Sequence, residues 1–474
     1  MSYRNKRIVI LGLARQGVAL ARYLAQAGAS VVVSDSQPAE KLRANLAALA
    51  DLPIEYVLGG HPPSLLDGAD LLCLSGGVSA DLPLAQEARR RGAPLSNDSQ
   101  VFLENCPPGV QVVGITGSAG KTTTTTLVGR ILGVERGAWS MERHEKSVTP
   151  HIPHLTPHAV WVGGNIGNPL IADISRMRAG DVAVMELSSF QLEIMTQSPN
   201  VSAVLNITPN HLDRHGTMEA YTAAKSRILL HQAADDMAVL GLDDPGARGL
   251  APLARGRLMY FSGEDLVEQG TYLRGETLVL RWQGREQAIC ELKDIRLRGR
   301  HNVLNVLAAC AVGGPAGATP EMMRAAIAEF TGVEHRLEFV RERDGVQWYN
   351  DSMASAPERV IAALKSFDEP IVLLAGGRDK KLPWEGFARL AKTRVKHLVF
   401  FGEAGPLIQR AVEAAGMERA QYTRCEKLVE AVSVAVRQAS RGDVVLLSPG
   451  GTSFDEFKDF AERGEKFKEW VRQL

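Results

Sequence analysis

Short apolar runs alternate with longer amphipathic stretches along the whole chain. Near the start, Ile8-Val9-Ile10-Leu11 leads through a glycine-bearing turn to an Ala/Leu-rich segment ending at Gly28, and Ser30-Val31-Val32-Val33-Ser34-Asp35 follows. This alternation predicts a βαβ opening to a parallel sheet. A later run at 71–74 ends in Ser75-Gly76-Gly77, and Asn105-Cys106-Pro107-Pro108-Gly109 has the composition of a linker. A second block opens on Val112-Val113-Gly114-Ile115-Thr116, continues with runs at 182–185 and 201–207, and becomes β-rich with hairpin turns over 237–300. A third block places strands at 348–349, 371–374, 397–401 and 444–447 between helical segments. The expected class is α/β in three domains: a Rossmann-like N-terminal sheet over 1–108, a central P-loop domain over 109–332 and a Rossmann-like C-terminal domain over 333–474.

Composition narrows the function. The 474 residues suit about three domains, and 45% hydrophobic content suits packed cores. Lys+Arg and Asp+Glu both number 54, so no global field draws the chain to nucleic acid or to an anionic membrane. The five cysteines are scattered and lack Cys-x-x-Cys spacing, which argues for a reducing compartment and against a disulfide framework or zinc knuckle. Lys6-Arg7 runs directly into the first strand without a signal-peptide pattern, and no apolar run approaches the roughly 18 residues of a membrane span. A cytoplasmic monomer is the expectation. Between Gly133 and Trp161, His144, His151, His154 and His158 follow no zinc spacing and read as a solvated insertion.

The candidate chemistry centres on Gly117-Ser118-Ala119-Gly120-Lys121-Thr122-Thr123. Glycines let backbone N–H groups turn toward an anion, Lys121 adds a point charge, Thr122 offers a hydroxyl to Mg²⁺, and the following helix adds its positive dipole end. Ile115 stands where a strict Walker loop has glycine, so this is a variant phosphate loop. Glu186 ends the next apolar strand, where a Mg²⁺ carboxylate sits in such enzymes. The same edge receives His211, whose role the residue alone leaves open; Lys225, by its chemistry alone, reads as a solvated helix charge. Asn302 and Asn305 lie three apart on one helix face, suited to a base edge or to capping. In the first domain Ala14 replaces the middle glycine of a dinucleotide fingerprint while Asp35 ends the second strand. An anionic nucleotide-type ligand fits there better than a nicotinamide.

Taken in order, Gly164-Asn165-Ile166-Gly167, Glu186-Leu187-Ser188-Ser189-Phe190-Gln191-Leu192-Glu193, Asn206-Ile207-Thr208, His211-Leu212-Asp213-Arg214-His215, His301-Asn302, His335-Arg336, Asn350-Asp351-Ser352 and Ser448-Pro449 with Ser453-Phe454-Asp455-Glu456-Phe457 resemble the Mur ligase family from end to end. The resemblance implies an ATP-dependent ligase of peptidoglycan synthesis that adds D-glutamate to UDP-N-acetylmuramoyl-L-alanine through an acyl phosphate. It implies a UDP-substrate site at Leu13, Arg15, Gln16, Asp35, Ser36, Gln37, Ser75, Gly77, Asn165, Ser188 and Gln191. ATP is implied at Gly117, Ser118, Gly120, Lys121, Thr122, Thr123, Asn302, Asn305, Arg336 and Asp351. Lys121, Glu186, His211 and Lys225 are the implied catalytic set. Two Mg²⁺ ions are implied at Thr122, Glu186, His211 and Lys225, the last as a CO₂-derived carbamate, which reverses its reading as a solvated charge. Ser355, Lys380, Ser453, Phe454 and Phe460 are implied to take glutamate, with closure of the third domain during catalysis. Many relatives read Asn-Asp-Ser-Lys-Ala-Thr-Asn where this chain has Asn350-Asp351-Ser352-Met353-Ala354-Ser355-Ala356. L-glutamate, another ligation step of the family, or a non-catalytic nucleotide-binding scaffold are the alternatives.

Overall fold

The computed structural model describes residues 3–133, 139–140, 158–380 and 382–474. His144, His151 and His154 of the expected insertion lie outside the described residues, whereas His158 lies within them. Three sheets carry the chain, as the alternation of apolar runs and helices predicts. Two compact units contain them: Met1–Arg296 with Arg300–Phe330, and Leu297–Gly299 with Thr331–Leu474.

The first unit holds two sheets. The N-terminal sheet is parallel, in the order Ile54–Leu58, Ser30–Asp35, Arg7–Leu11, Leu71–Leu74, Leu95–Ser96. Its inner strands are near-continuous Val/Ile/Leu because helices cover both faces. The central sheet runs through Arg257–Ser262, Met237–Gly241, Val201–Val204, Gln111–Thr116, Val182–Glu186, Val160–Gly164 and Trp139–Ser140 as parallel neighbours. Gly270–Arg274 extends it in parallel, and Thr277–Trp282 and Arg285–Glu291 complete an antiparallel ribbon at the far edge, the hairpin region of the sequence. Parallel pairing sends the ends of 111–116, 182–186 and 201–204 to one edge, where open α/β sheets bind ligands.

The two sheets share one core. Helices Arg15–Gln26 and Asp98–Asn105 of the N-terminal part pack on the turn Leu170–Ala172 of the central part, and Leu24, Val101, Phe102, Leu170 and Ile174 belong to one buried cluster. Polar bonds fix the same junction. Asn97 caps its helix by accepting from Gln100 N at 2.8 Å and donates to Gln191 O at 2.8 Å. Gln191 Nε2 reaches Ser99 Oγ at 2.9 Å, and Gln100 both donates to Thr196 Oγ1 and accepts from Thr196 N.

In the second unit, Val346–Asn350, Val444–Gly450, Ile371–Gly376, Val395–Phe401 and Tyr422–Arg424 form a parallel array, with Glu338–Arg343 antiparallel at its edge. The sequence reading misses both edge strands: the first is Glu-Phe-Val-Arg-Glu-Arg, whose charges suit a solvent-facing edge, and the other is three residues long. Residues Leu297–Gly299 belong to this unit because the Arg298 guanidinium stacks on Tyr349 at 5.3 Å and on Phe367 at 5.7 Å and bonds Glu369 and Gln347. Among the described residues no helix is long and apolar enough to cross a membrane.

Asn97→Ala removes a helix cap and leaves the buried Gln191 carbonyl without its donor. The combined loss is about 1–3 kcal/mol, read as a lower urea midpoint at unchanged slope; an unchanged midpoint contradicts a junction held by this residue.

Candidate functional site

The phosphate loop follows strand Gln111–Thr116 and feeds helix Lys121–Gly133. Gly120 has φ +83°, and a Cβ there would stand 2.1 Å from Asn305 Oδ1, so the loop closes only on glycine. Asn206, at the exit of the neighbouring strand, clamps the loop from the other side: its side chain accepts from Ala119 N at 2.8 Å and donates to Ala119 O, and its carbonyl accepts from Ser118 N. Ser118 Oγ bonds Thr208 O, Thr208 N and the Tyr221 hydroxyl.

Three of the four expected catalytic side chains, Lys121, Glu186 and Lys225, gather on this loop. Thr122 Oγ1 donates to Glu186 Oε2 at 2.8 Å, and Asn165 Nδ2 donates to Glu186 Oε1 at 3.0 Å. Glu186 is 2% exposed. Lys121 Nζ donates to Gly117 O at 2.9 Å and Ser118 O at 3.3 Å. Lys225, read from its chemistry as a solvated charge, is buried instead; its Nζ donates to the same Gly117 O at 3.0 Å and to Thr116 Oγ1 at 3.2 Å, with the Tyr221 ring 4.8 Å away. Burial first, and the neighbouring Lys121 charge second, push the Lys225 amine well below the ordinary lysine range.

His211 is exposed, in a left-handed backbone at φ +53°, and meets the Phe190 ring edge-on at 5.3 Å. His215 stacks on Phe190 at 5.1 Å and bonds Ser189 Oγ, while the Arg214 guanidinium lies 4.5 Å from the same ring. Asn305 donates to Asn302 Oδ1 at 3.0 Å and abuts Gly120, so at least one of this pair supports the loop. Thr123 is buried in the first helical turn.

Of the expected UDP-substrate residues, Leu13, Arg15, Gln16, Asp35, Ser36, Gln37, Ser75 and Gly77 fall at the carboxyl edge of the N-terminal sheet, whereas Asn165, Ser188 and Gln191 follow strands of the central sheet. Asp35 uses both oxygens within the chain, accepting from Leu13 N at 2.7 Å and Gln37 N at 2.8 Å, so it draws two loops together. Arg15, Ser36, Gln37 and Gly77 are exposed, and Ser75 is buried. Gln16 reaches across to Gly164 O at 3.4 Å. Ser188 and Gln191 form a capping box, with Gln191 also tied to Ser99; the Gln191 amide therefore orients Ser188 and the junction.

The second unit carries its own group. Asp351 is buried, accepting from Ser448 Oγ at 2.7 Å and from Leu337 N at 3.2 Å. Arg336 is exposed between His335 and Leu337, both at positive φ. Lys380 Nζ donates to Ser355 Oγ at 3.2 Å; Ser453 is buried, and Phe454 and Phe460 are exposed aromatics. Beneath them Arg463, fully buried, bonds Ser352 Oγ, Ser352 O and Gly451 O. Thr116, Asn206, Tyr221 and Arg463 have no role in the sequence reading. A polar residue at each strand exit was the available signal for Thr116 and Asn206; nothing local marks Tyr221 or Arg463.

Among the described residues no group of three or more His, Cys, Asp or Glu side chains gathers as a metal cage. Thr122 and Glu186 nevertheless suit Mg²⁺, which takes one or two carboxylates and completes its octahedron with phosphate oxygens and water.

Known proteins show the same organisation. The descriptions Mur ligase MurD-like, N-terminal domain; Mur ligase middle domain; and Mur ligase, glutamate ligase domain match residues 6–96, 115–313 and 335–451. The UDP-N-acetylmuramoylalanine--D-glutamate ligase of Acetivibrio thermocellus is 40% identical over 99% of this chain and 97% of its own length. That of Symbiobacterium thermophilum is 41% identical over 99% and 98%. In fold, the chain resembles UDP-N-acetylmuramate-alanine ligase from Thermotoga maritima (TM-score 0.55, 20% identity, 98% and 99% covered) and MurF from Acinetobacter baumannii (TM-score 0.56, 17% identity, 97% and 93% covered).

Burial raises the Asp351 carboxyl to about 7. Between an ordinary value near 3.8 and that value, the folded chain keeps a proton that the unfolded chain has released, so this group's contribution to stability declines as pH rises through the window. Asp351→Asn should therefore gain stability relative to the parent on going from pH 5 to pH 8, measured as the difference in Tm; a constant difference refutes the buried titration.

Proposed function

The chain belongs to the Mur ligase family and is an ATP-dependent ligase, and from that premise we propose that it joins D-glutamate to UDP-N-acetylmuramoyl-L-alanine, in the cytoplasm and as a monomer, releasing ADP and phosphate. The geometric observation that carries the reading is the convergence of Lys121 and Lys225 on the Gly117 carbonyl beside the Thr122–Glu186 pair. This is a cationic phosphate cradle with a metal-type carboxylate at its edge. The full-length likeness to relatives bearing the D-glutamate ligase name supports the choice of substrates.

In this reading residues 1–108 hold the uridine nucleotide through Leu13, Arg15, Gln16, Asp35, Ser36, Gln37, Ser75 and Gly77, with Asn165, Ser188 and Gln191 from the central part. Residues 109–332 bind ATP, with Gly117, Ser118, Gly120, Lys121, Thr122 and Thr123 on the phosphates and Asn302 and Asn305 toward the base. Residues 333–474 add Arg336 and Asp351 for ATP, and Ser355, Lys380, Ser453, Phe454 and Phe460 for glutamate. The substrate carboxylate attacks the γ-phosphorus, the β–γ bridge bond breaks, and ADP leaves behind an acyl phosphate. The glutamate amine then attacks the acyl carbon, loses a proton, and expels phosphate. Loop N–H groups and Lys121 hold the transferring phosphoryl group, which satisfies the electrostatic demand of two anionic reactants.

Thr122, Glu186 and His211 would hold Mg²⁺, and Lys225 as its carbamate would help to hold a second ion; the ions would supply charge screening on the phosphates. Lys225 suits CO₂ capture because carbamylation needs the neutral amine, and its burial beside Lys121 favours that form. The carbamate would replace a like-charge neighbour of Lys121 with an opposite charge.

Phosphate release from ATP and Mg²⁺ in the presence of UDP-N-acetylmuramoyl-L-alanine should depend on D-glutamate. Dependence on L-glutamate or meso-diaminopimelate instead would redirect the specificity to residues 353–356, and release that no amino acid stimulates would reject the ligase in favour of a scaffold. Lys225→Ala should lower kcat by about 10²-fold or more. In ¹³C-bicarbonate the parent should show a carbamate carbonyl resonance that Lys225→Arg lacks; its absence from the parent rejects the modification.

A further inference from the structure

One histidine at the carboxyl edge of the N-terminal sheet has no role in the reading above. His61 follows strand Ile54–Leu58 through Gly59 and Gly60, and this turn folds back over the end of Ser30–Asp35. Gly59 N donates to Asp35 O at 2.9 Å and Gln37 O at 3.2 Å, and its φ of +85° is a conformation that a side-chain-bearing residue rarely adopts. The turn is thereby attached to the loop 35–37, beside Leu13, which Asp35 also holds.

The hydrogen bonds define the ring's chemistry. Ser34 is fully buried, and its hydroxyl donates to Gly60 O at 3.0 Å, a carbonyl that can only accept. With the hydroxyl proton so used, the 2.8 Å contact between His61 Nδ1 and Ser34 Oγ requires Nδ1–H to donate. In the neutral imidazole the proton then sits on Nδ1 and Nε2 is a fixed acceptor. Burial favours that neutral form, with only the Asp35 charge opposing it. Among the described residues no partner is recorded for Nε2.

We infer that His61 Nε2 accepts a hydrogen bond from the uridine part of the substrate, making His61 a specificity residue of the nucleotide site. At this edge of the sheet a uridine diphosphate offers few donors: the uracil imide N–H and the ribose hydroxyls. The imidazole rewards either, and its lone pair repels the phosphates, so it favours the nucleoside end of the ligand over the diphosphate end. The inference rests on the proposed ligase reading.

Two near-isosteres separate ligand contact from loop support. Asparagine places its amide nitrogen where Nδ1 lies and keeps the Ser34 bond; glutamine places its amide oxygen where Nε2 lies and keeps the acceptor. In the full-length enzyme, His61→Asn should raise KM for UDP-N-acetylmuramoyl-L-alanine about tenfold, with KM for ATP and D-glutamate and the Tm unchanged. His61→Gln should retain most of the parent affinity. Inhibition of the parent by UMP, 3-methyl-UMP, 2′-deoxy-UMP and 3′-deoxy-UMP identifies the donor: the analogue lacking it binds the parent more weakly and loses nothing further in His61→Asn. The reverse order, with Asn near parent and Gln impaired, or a shift in KM for all three substrates, overturns the inference while leaving the ligase reading intact. A parent enzyme whose turnover ignores the uridine substrate overturns both.

Discussion

Two lysine amines donate to one carbonyl oxygen, that of Gly117. Much of the central site follows from this crowding. Lys121 is positioned by its place at the start of a helix, but Lys225 comes from helix Met218–Leu230 and is nearly inaccessible to solvent. Two cations around one buried dipole repel, and desolvation adds to the cost of the charge on Lys225. The arrangement is relieved in two ways: an anion can enter between the amines, or one amine can be neutral. Phosphates meet the first condition and carbon dioxide exploits the second, so the same crowding favours the ligands of the proposed reaction.

The surrounding polar residues hold this geometry. Asn206 grips both sides of the peptide at Ala119, Ser118 is bonded three ways, and Asn305 closes the gap that Gly120 leaves. Such bonds restrict a loop whose one apolar side chain, Ala119, is exposed. The junction with the N-terminal sheet repeats the device: the Asn97–Gln100 segment and Gln191 exchange polar bonds beside a shared apolar core, which fixes the N-terminal sheet relative to Ser188 in one compact unit. Apolar packing alone specifies such a junction loosely, whereas paired buried polar groups are costly in any other register.

Sheets, helix order and the phosphate loop were legible because they rest on local signals: runs of Val and Ile, glycine turns, and Lys-Thr in register with a helix start. Side-chain function at a distance was not. Lys225 carries no local sign of burial, since the groups that enclose it, Thr116, Gly117 and Tyr221, lie far off in sequence or on the hidden face of its own helix. Its reading changed only through the resemblance. Asp35 was legible as an acid at a strand end, but its oxygens serve Leu13 and Gln37, a use visible only once two loops are placed together. Gln191 similarly gives its amide to Ser188 and Ser99. Edge strands were missed because charge and brevity hide them.

Met353 is uncharged where the Mur ligase resemblance expects lysine. A lysine there would place a flexible cation beside the residues proposed to take glutamate. Met353 is held through its backbone, its N–H on His335 O and its carbonyl receiving Arg359. Among the described residues, cations in that region include Arg359 on the Met353 carbonyl, Lys380, bonded to Ser355 Oγ, and Arg463, buried below Ser352 with its guanidinium on one hydroxyl and two carbonyls. None of those three partners is a carboxylate. Burial lowers the guanidinium to about 10, which still leaves it charged at neutral pH, and Asp455 and Glu456 act on it only at longer range. A buried cation projects its field farther than a solvated lysine, because little water screens it, and Asp455 and Glu456 offset only part of that charge. Under the proposed function, the attraction that a lysine at 353 would provide therefore falls to Lys380 by contact and to Arg463 by field. A dicarboxylate such as glutamate suits that pair better than a neutral amino acid does.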